Sequence, residues 1–146
     1  MAKERQVRTM KIMRSAEDYL EAMLMMQEQH GYIRSIDIAG ELNVTKPSVS
    51  YATKRLAENG FINKAQDGAI TLTDKGYEIA ARIYERHKVL TYLLTYLGVD
   101  EKTAREDACR LEHDLSVESF DRIRECADRV RTREEEKKAA EAGARE

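Results

Sequence analysis

The sequence is short of cysteine and of long apolar runs, and both shortages exclude classes of protein. Among its 146 residues there are two cysteines, one proline and no tryptophan. Two cysteines are too few for a disulfide framework and suit a reducing compartment. The longest apolar stretch, residues 89–99, is interrupted by threonine and glycine and is too short to span a bilayer. No apolar segment follows the charged amino-terminal residues, so we expect no secretory signal and no membrane partner, and we predict a cytoplasmic protein.

Charge is plentiful but unevenly distributed along the chain. The 25 Lys and Arg residues and 27 Asp and Glu residues give a net charge of −2, which argues weakly against nucleic-acid binding. The first 14 residues, however, contain five basic residues and one acidic residue, whereas residues 100–146 contain 15 acidic and 11 basic residues. This division suits a first half that faces phosphate and a second half that faces cations or another copy of itself.

Hydrophobic periodicity predicts six helices and one β-hairpin. The helices are expected at about residues 16–29, 36–42, 46–58, 74–97, 100–114 and 117–130, and the hairpin strands at residues 61–64 and 69–72. The order predicts a mainly α protein with a small β wing. It has a winged helix-turn-helix domain at residues 1–73, a helical domain at residues 74–130, and a charged tail at residues 131–146 that is either a helix extension or frayed. Four hydroxyl-bearing residues stand where helix N-caps are expected, namely Ser15, Ser35, Thr73 and Ser116, and the third helix is expected to start after Thr45.

The third predicted helix has two distinct faces. Val49, Ala52 and Leu56 are expected to pack into the core, which leaves hydroxyl and cationic side chains outside. In a winged helix-turn-helix this helix enters the major groove, where hydroxyls reach base edges and cations approach phosphate. The same pattern also fits a polar helix on a three-helix core that binds protein, and salt-sensitive DNA binding distinguishes the two. The predicted DNA-binding residues are Thr45, Lys46, Pro47, Ser48, Ser50, Tyr51, Lys54 and Arg55, with Lys64 and Gln66 on the wing.

The fifth predicted helix carries a possible half of a metal site. Cys109, Glu112 and His113 are spaced i, i+3 and i+4, so they share one helix face. A thiolate, a carboxylate and an imidazole on one face suit a transition metal. Each residue also has an ordinary explanation, because a helical cysteine usually packs in a core and a Glu-His pair usually faces solvent.

Two other helices carry further potential ligands. Asp18 and Glu21, spaced i, i+3, lie beside the apolar stripe of the first helix, although they could merely complement its dipole. His87 lies on the flank of Ile83 and Leu90 on the fourth helix. Three helices could therefore bring carboxylate, imidazole and thiol groups to one pocket.

Three short motifs accompany the predicted winged helix. They are Asp18-Tyr-Leu-Glu21 on the first helix, Glu85-Arg-His87 on the fourth and Asp107-Ala-Cys-Arg-Leu-Glu-His-Asp-Leu-Ser116 on the fifth. In this combination the sequence resembles the diphtheria-toxin-repressor family of metal-dependent repressors, which includes the manganese transport regulators. The likeness covers about residues 15–130. Its Cys-Arg-x-Glu-His block is specific, whereas the helix-turn-helix part is not.

The resemblance implies a homodimer whose winged helix binds palindromic operator DNA and whose helical domain binds metal and dimerises. It implies a divalent metal bound between the two domains as the effector, control of metal-ion homeostasis genes, and no enzymatic activity. The apolar content of the last three helices exceeds what one thin helical layer can bury, which also favours a symmetric dimer. The metal ligands that the resemblance implies are Asp18, Glu21, His87, Cys109, Glu112 and His113.

The implied ligand set departs from both main branches of the family. Iron-type members tend to have Met in place of Asp18 and Cys at the position of Cys109, whereas manganese-type members tend to have Asp and Glu at these two positions. Oxygen ligands from Asp18 and Glu21 suit Mn²⁺, while the Cys109 thiolate favours softer ions such as Fe²⁺. We therefore expect Mn²⁺, with Fe²⁺ as the alternative, and six ligands would permit a binuclear site.

Two other functions are compatible with parts of the sequence. A winged-helix repressor that responds to an organic ligand or to oxidation of Cys109 would keep the DNA-binding half, and a metal titration separates it from a metal sensor. A metal-dependent hydrolase using Glu112 and His113 is disfavoured, because the sequence shows no nucleophile–base pair, Gly-rich phosphate loop or His-Glu-x-x-His spacing.

Overall fold

The computed structural model describes the backbone of residues 2–145 and the side chains of residues 14–145. The chain forms two compact units, Met1–Tyr84 and Glu85–Glu146. The division falls inside one helix, so its first half belongs to the first unit and its second half to the second unit. The predominance of helix, with one small hairpin, confirms the predicted fold class.

The first unit contains three helices, a hairpin and the beginning of a fourth helix. The hairpin strands are antiparallel, with Asn63 opposite Thr71. This order is that of a winged helix-turn-helix, as the sequence predicts. The elements are α1 (Ala2–His30), α2 (Ser35–Leu42), α3 (Lys46–Glu58), β1 (Ile62–Lys64), β2 (Ile70–Leu72) and the first half of α4 (Asp74–Tyr96).

A tight turn joins α2 to α3. Asn43 adopts a left-handed φ of 51°, and its N–H donates to the carbonyl of Gly40 at 3.4 Å. Thr45 then caps α3, because its Oγ1 accepts from the N–H of Ser48 at 3.3 Å. Pro47 follows in the first turn of α3, where its missing N–H leaves no hydrogen bond unmade. Local signals therefore determine both the end of α2 and the start of α3, and α3 starts after Thr45 as predicted.

The core of the first unit is built from α1, α2, α3, the hairpin and the first half of α4, which contributes Ala80. Each Leu or Ile side chain that is fully buried contributes about 1.5–3 kcal/mol. Besides its apolar residues, α3 buries Thr53 completely, and the Thr53 hydroxyl donates to the carbonyl of Ser50 at 3.2 Å, which offsets the cost of burying it. The side chains that are at most 2% exposed include Leu20, Met23, Ile38, Val49 and Ile62.

The start of α4 lies against the entrance to the wing. The N–H of Thr73 donates to the carbonyl of Phe61 at 3.1 Å, and the Thr73 hydroxyl donates to the carbonyl of Gly60 at 2.7 Å. Gly76, in the first turn of α4, comes so close that a Cβ at this position would lie 2.0 Å from the Phe61 oxygen. Only glycine fits there, and its absence of a side chain lets α4 pack directly on the wing backbone.

Two predicted helix caps are wrong. Ser15 lies inside α1, which begins at Ala2, because no proline or glycine interrupts the first 14 residues. Ser35 is the first residue of α2, and Arg34 is its N-cap. Arg34 makes no side-chain cap bond, but its carbonyl accepts from the N–H of Ile38 at 3.2 Å.

The second unit consists of the remainder of α4, α5 (Glu101–Leu111) and α6 (Val117–Gly143). Asp100 and Ser116 cap α5 and α6 through their side-chain oxygens. The fifth helix ends at Leu111 rather than at Asp114, and α6 continues to Gly143, so the tail extends a helix. The buried residues of this unit include a cluster of Val89, Phe120 and Ala127.

No helix within residues 2–145 is long and apolar enough to cross a membrane.

Candidate metal centre and nucleic-acid interface

Three potential metal ligands of the second unit come from two helices. His87 lies on α4, Cys109 lies on α5, and Glu112 is the C-cap residue of α5. Glu112 keeps helical dihedrals (φ −58°, ψ −29°), and its N–H donates to the carbonyl of Ala108. Because the helical path continues to Glu112, the i, i+3 spacing places Cys109 and Glu112 on one face, as predicted.

The side chains of these three residues converge. Nδ1 of His87 lies 3.0 Å from Oε2 of Glu112 and 3.6 Å from Sγ of Cys109. One ligand atom from each residue lies within 4.8 Å of the other two. Bonds of about 2.0–2.3 Å from one ion to nitrogen, oxygen and sulfur would span such separations. The three donors therefore fit a single transition-metal ion.

The carboxylate of Glu112 is also close to a second imidazole. Its Oε1 lies 3.4 Å from Nε2 of His113, so each oxygen of Glu112 has a histidine nitrogen nearby. Glu112 is 1% exposed and His113 has a side-chain exposure of 3%, whereas Cys109 is exposed. The buried carboxylate of Glu112 therefore lies between two imidazoles, with that of His87 near one oxygen and that of His113 near the other.

His87 is the most strongly perturbed titratable group of the cluster. Its hydrogen bond to Cys109, followed by its hydrogen bond to Glu112, raises its pKa from 6.5 to about 10. Both contacts favour the imidazolium form of His87, because they are stronger when the ring is protonated and positively charged. A metal ion can take the Nδ1 atom only when this proton leaves.

The remaining two predicted ligands lie in the first unit. Asp18 and Glu21 are one helical turn apart on α1, so they share a face. Asp18 is half-buried and Glu21 is 6% exposed. Such deep burial is unusual for a glutamate side chain. The second unit therefore contains His87, Cys109, Glu112 and His113, and the first unit contains Asp18 and Glu21. That all six act as ligands stays a prediction.

The predicted DNA-binding residues of the first unit lie on its surface. All eight predicted positions from Thr45 to Arg55 are exposed, as are both wing positions. Tyr51 is 63% exposed, and its hydroxyl accepts a hydrogen bond from Nη1 of Arg55 at 2.9 Å. The guanidinium of Arg55 also lies 5.7 Å from the centre of the Tyr51 ring. This surface of α3 therefore presents hydroxyl groups together with the cations Lys46, Lys54 and Arg55, which are side-chain types that a recognition helix uses.

Sequence reasoning missed the role of Arg86. This residue is 7% exposed, and its Nη1 donates to the carbonyls of Glu112 at 3.0 Å and Leu115 at 2.7 Å. The signal in the sequence is the position of this basic residue, which lies three residues after Ile83 and four before Leu90 and therefore on the apolar face of α4. Its partners are 26 and 29 residues away, so no local pattern reveals them.

Comparison with known protein families accounts for most of the chain. The N-terminal DNA-binding domain of iron-dependent repressors matches residues 11–70, and their metal-binding and dimerisation domain matches residues 73–139. Both predicted halves of the protein thus have a counterpart in one family.

Curated relatives are transcriptional regulators. A helix-turn-helix-type regulator of Methanocaldococcus jannaschii is 41% identical over 112 residues, which cover 75% of this chain and 90% of that protein. The helix-turn-helix-type transcriptional regulator MntR of Bacillus subtilis is 38% identical over 109 residues, which cover 75% of this chain and 77% of that protein.

Solved structures give the same result. A manganese-dependent transcriptional repressor in complex with manganese has a TM-score of 0.71 at 30% identity, covering 77% of this chain and 52% of that chain. IdeR of T. acidophilum has a TM-score of 0.68 at 29% identity, covering 75% of this chain and 52% of that chain. The chain spans about half the length of these solved chains. The resemblance noted in the sequence is confirmed, and the alternative of an organic ligand or cysteine oxidation as the signal is not favoured.

Proposed function

The chain belongs to the iron-dependent repressor family of metal-dependent transcriptional repressors, and we propose that it represses transcription as a metal-activated homodimer on operator DNA. The observation that carries this proposal is the convergence of His87, Cys109 and Glu112 in the second unit. A thiolate, an imidazole and a buried carboxylate within bonding distance of one point are suited to a divalent transition metal.

We propose six metal ligands and Mn²⁺ as the effector, with Fe²⁺ as the alternative. The cluster of His87, Cys109 and Glu112 would hold one ion, and the second oxygen of Glu112 with His113 would hold a second. Asp18 and Glu21 would add hard oxygen ligands, which favour Mn²⁺ over softer ions. The solved relative that is described as manganese-dependent and complexed with manganese supports this preference.

The regulatory effect is proposed to arise from charge. Without metal, the carboxylates of Asp18, Glu21 and Glu112 would repel one another if they approached. A bound divalent cation supplies the positive charge that offsets this repulsion. Changing a population from mostly inactive to mostly active requires a difference in metal affinity equivalent to about 5.5 kcal/mol, which a few metal–ligand bonds can supply.

The DNA-binding role is assigned to the exposed face of α3. Ser48, Ser50 and Tyr51 lie near the start of the helix, where they would reach base edges in the major groove. Lys54 and Arg55 would contact phosphate, and the exposed wing residues Lys64 and Gln66 would add backbone contacts. In a dimer, two such helices would read half-sites about one DNA turn apart.

Exposed apolar residues of the second unit support the dimer. They occur at the end of α4, the end of α5 and the start of α6. Large apolar side chains on a surface commonly mark a protein interface, and a symmetric dimer covers the same patch on both copies. These residues are Tyr96 (52% exposed), Leu97 (73%), Leu111 (42%) and Val117 (65%).

A matched pair of cysteine variants tests the proposed function. Cys109 and Cys126 are both exposed and reduced, but Cys126 lies outside the cluster of ligands. Cobalt(II) titrated into the metal-free protein should produce a thiolate charge-transfer band in the wild type and in Cys126→Ala, and none in Cys109→Ala. Binding to a fragment from upstream of the gene should depend on metal in the first two proteins and be weakened in the third. A wild type that shows no cobalt–thiolate band would overturn the proposed site.

A further inference from the structure

Arg86 makes two hydrogen bonds to the segment that carries the metal-binding carboxylate. Its Nη1 atom donates to the carbonyl of Glu112 at 3.0 Å and to the carbonyl of Leu115 at 2.7 Å. We propose that Arg86 is a positioning residue for the metal centre, which fixes the backbone of Glu112 so that its carboxylate meets His87. This inference rests on the proposed function, because it assigns Arg86 a role in the same site.

Glu112 is held at two points by consecutive residues of α4. Arg86 binds its main-chain carbonyl, and Nδ1 of His87 lies 3.0 Å from its Oε2 atom. Since both contacts come from one rigid helical turn, the distance from the backbone of Glu112 to the His87 ring is set by α4 itself. Glu112 is the C-cap of α5, at the point where the helix ends, and Arg86 fixes its carbonyl there.

The two carbonyls that Arg86 binds flank the connection between α5 and α6. Glu112 caps the C-terminal end of α5, where the helix dipole is negative and favours a cation. Leu115 lies directly before Ser116, the N-cap of α6. The single guanidinium therefore joins both ends of the connection between α5 and α6 to α4.

The guanidinium of Arg86 is buried against an aromatic ring. It lies 5.1 Å from the centre of the Phe120 ring, a residue that is itself 4% exposed. Arginine presents its donors in a fixed plane, whereas the lysine ammonium is a compact charge with three donors and no planar group. A lysine at this position would keep a cationic donor for the carbonyls but could not reproduce the planar contact with the Phe120 ring.

Arg124 provides a matched control. Its guanidinium lies 5.7 Å from the same Phe120 ring, but it donates to the side chains of Glu85 and Asp121 and not to the connection after α5. If contact with Phe120 were the important feature, Arg86→Met and Arg124→Met would have similar effects on metal binding. If the two carbonyl bonds are important, only the change at Arg86 should lower metal affinity.

The experiment measures cobalt(II) and manganese(II) affinity in four proteins of full length, namely the wild type, Arg86→Met, Arg86→Lys and Arg124→Met. We expect Arg86→Met to bind about 10- to 100-fold more weakly, which is the usual effect of losing a residue that orients a metal ligand. Arg86→Lys should show a smaller loss, and Arg124→Met should match the wild type. The cobalt spectrum of Arg86→Met at saturation should also differ from that of the wild type, because the carboxylate is no longer held in place.

Wild-type affinity and an unchanged cobalt spectrum in Arg86→Met would overturn the proposal. If Arg86→Met does not fold, as judged by circular dichroism, Arg86→Gln, which is polar but too short to reach both carbonyls, decides the matter, and wild-type affinity in that variant likewise overturns the proposal. Amide hydrogen exchange of residues 112–116 in chelator provides a test that needs no metal. Faster exchange in the Arg86 variants than in Arg124→Met would show that Arg86 fixes this segment to α4, whether or not the wild type binds an ion. A wild type that binds no ion would refute only the proposed function.

Discussion

Replacing Glu112 with glutamine should separate the metal site from the fold. Glu112 is 1% exposed, and its two oxygens lie 3.0 Å from Nδ1 of His87 and 3.4 Å from Nε2 of His113. Glutamine has nearly the same shape, so the packing is kept. The variant loses one negative charge and replaces a charged acceptor by an amide, which changes a hydrogen bond of about 1.5–3 kcal/mol into one of about 0.5–1.5 kcal/mol. The metal-free protein should therefore lose about 1–2 kcal/mol of stability and stay folded.

The effect of Glu112→Gln on metal binding should be much larger. Residues that only orient a ligand change metal affinity by about 10- to 100-fold, so a shared ligand should account for at least about 100-fold, or about 2.7 kcal/mol. Isothermal titration with Mn²⁺ measures the affinity, and urea unfolding in chelator measures the stability. Glu106→Gln, an exposed carboxylate on the same helix, is the control and should bind as the wild type does. Wild-type affinity in Glu112→Gln would refute the assignment of this residue as a ligand.

Four further changes test the metal site, the DNA-binding face of α3 and the packing of α4 on the wing. His113→Ala should keep the fold, seen by circular dichroism, but lose metal-dependent DNA binding, and unchanged DNA affinity would contradict its role. Lys54→Ala should weaken binding to all DNA sequences alike and reduce the salt slope by about 1, whereas a weaker complex with the wild-type slope would exclude a phosphate contact. Gly76→Ala should lower the free energy of unfolding in urea by about 1–3 kcal/mol, because its methyl group meets the backbone of Phe61. Gly40→Ala, which has open space around it, is the control and should raise the free energy of unfolding by about 0.5–1 kcal/mol. Equal effects of the two changes would contradict the close approach of α4 to Phe61. His87 has a pKa raised from 6.5 to about 10, so its contribution to the stability of the metal-free protein is fully present below pH 6.5 and is lost as the pH rises toward 10. Unfolding from pH 6 to 9 should show this decline in the wild type and not in His87→Gln, and metal binding should release a proton.

The winged helix could be predicted from the sequence because its signals are local. Thr45 and Pro47 mark the start of α3, and the apolar spacing of α3 identifies Val49 and Leu56 as core residues, which are 1% and 5% exposed. The same is true of the cluster on α5, where the spacing of Cys109 and Glu112 places both on one face. Spacing within one helix determines which side chains can meet, whatever the rest of the chain does.

What the sequence could not predict depends on contacts between distant segments. Gly76 is required by the carbonyl of Phe61, and Arg86 is required by carbonyls in the connection after α5. No periodic pattern identifies these partners, because each partner lies on another part of the chain. The start of α1 was missed for a different reason: Ser15 is a good cap, but a helix passes through such a residue when the preceding segment also favours helix.

The central claim is that metal controls DNA binding, and fluorescence anisotropy tests it most directly. A labelled DNA fragment from the region upstream of the gene is titrated with the wild-type protein under anaerobic conditions, in chelator and in Mn²⁺, Fe²⁺ or Zn²⁺. The account predicts tight, salt-sensitive binding only when metal is present, with the effective metal concentrations ranking the ions. Equally tight binding in chelator would contradict it, and would reduce the cluster of His87, Cys109 and Glu112 to a structural feature of the second unit.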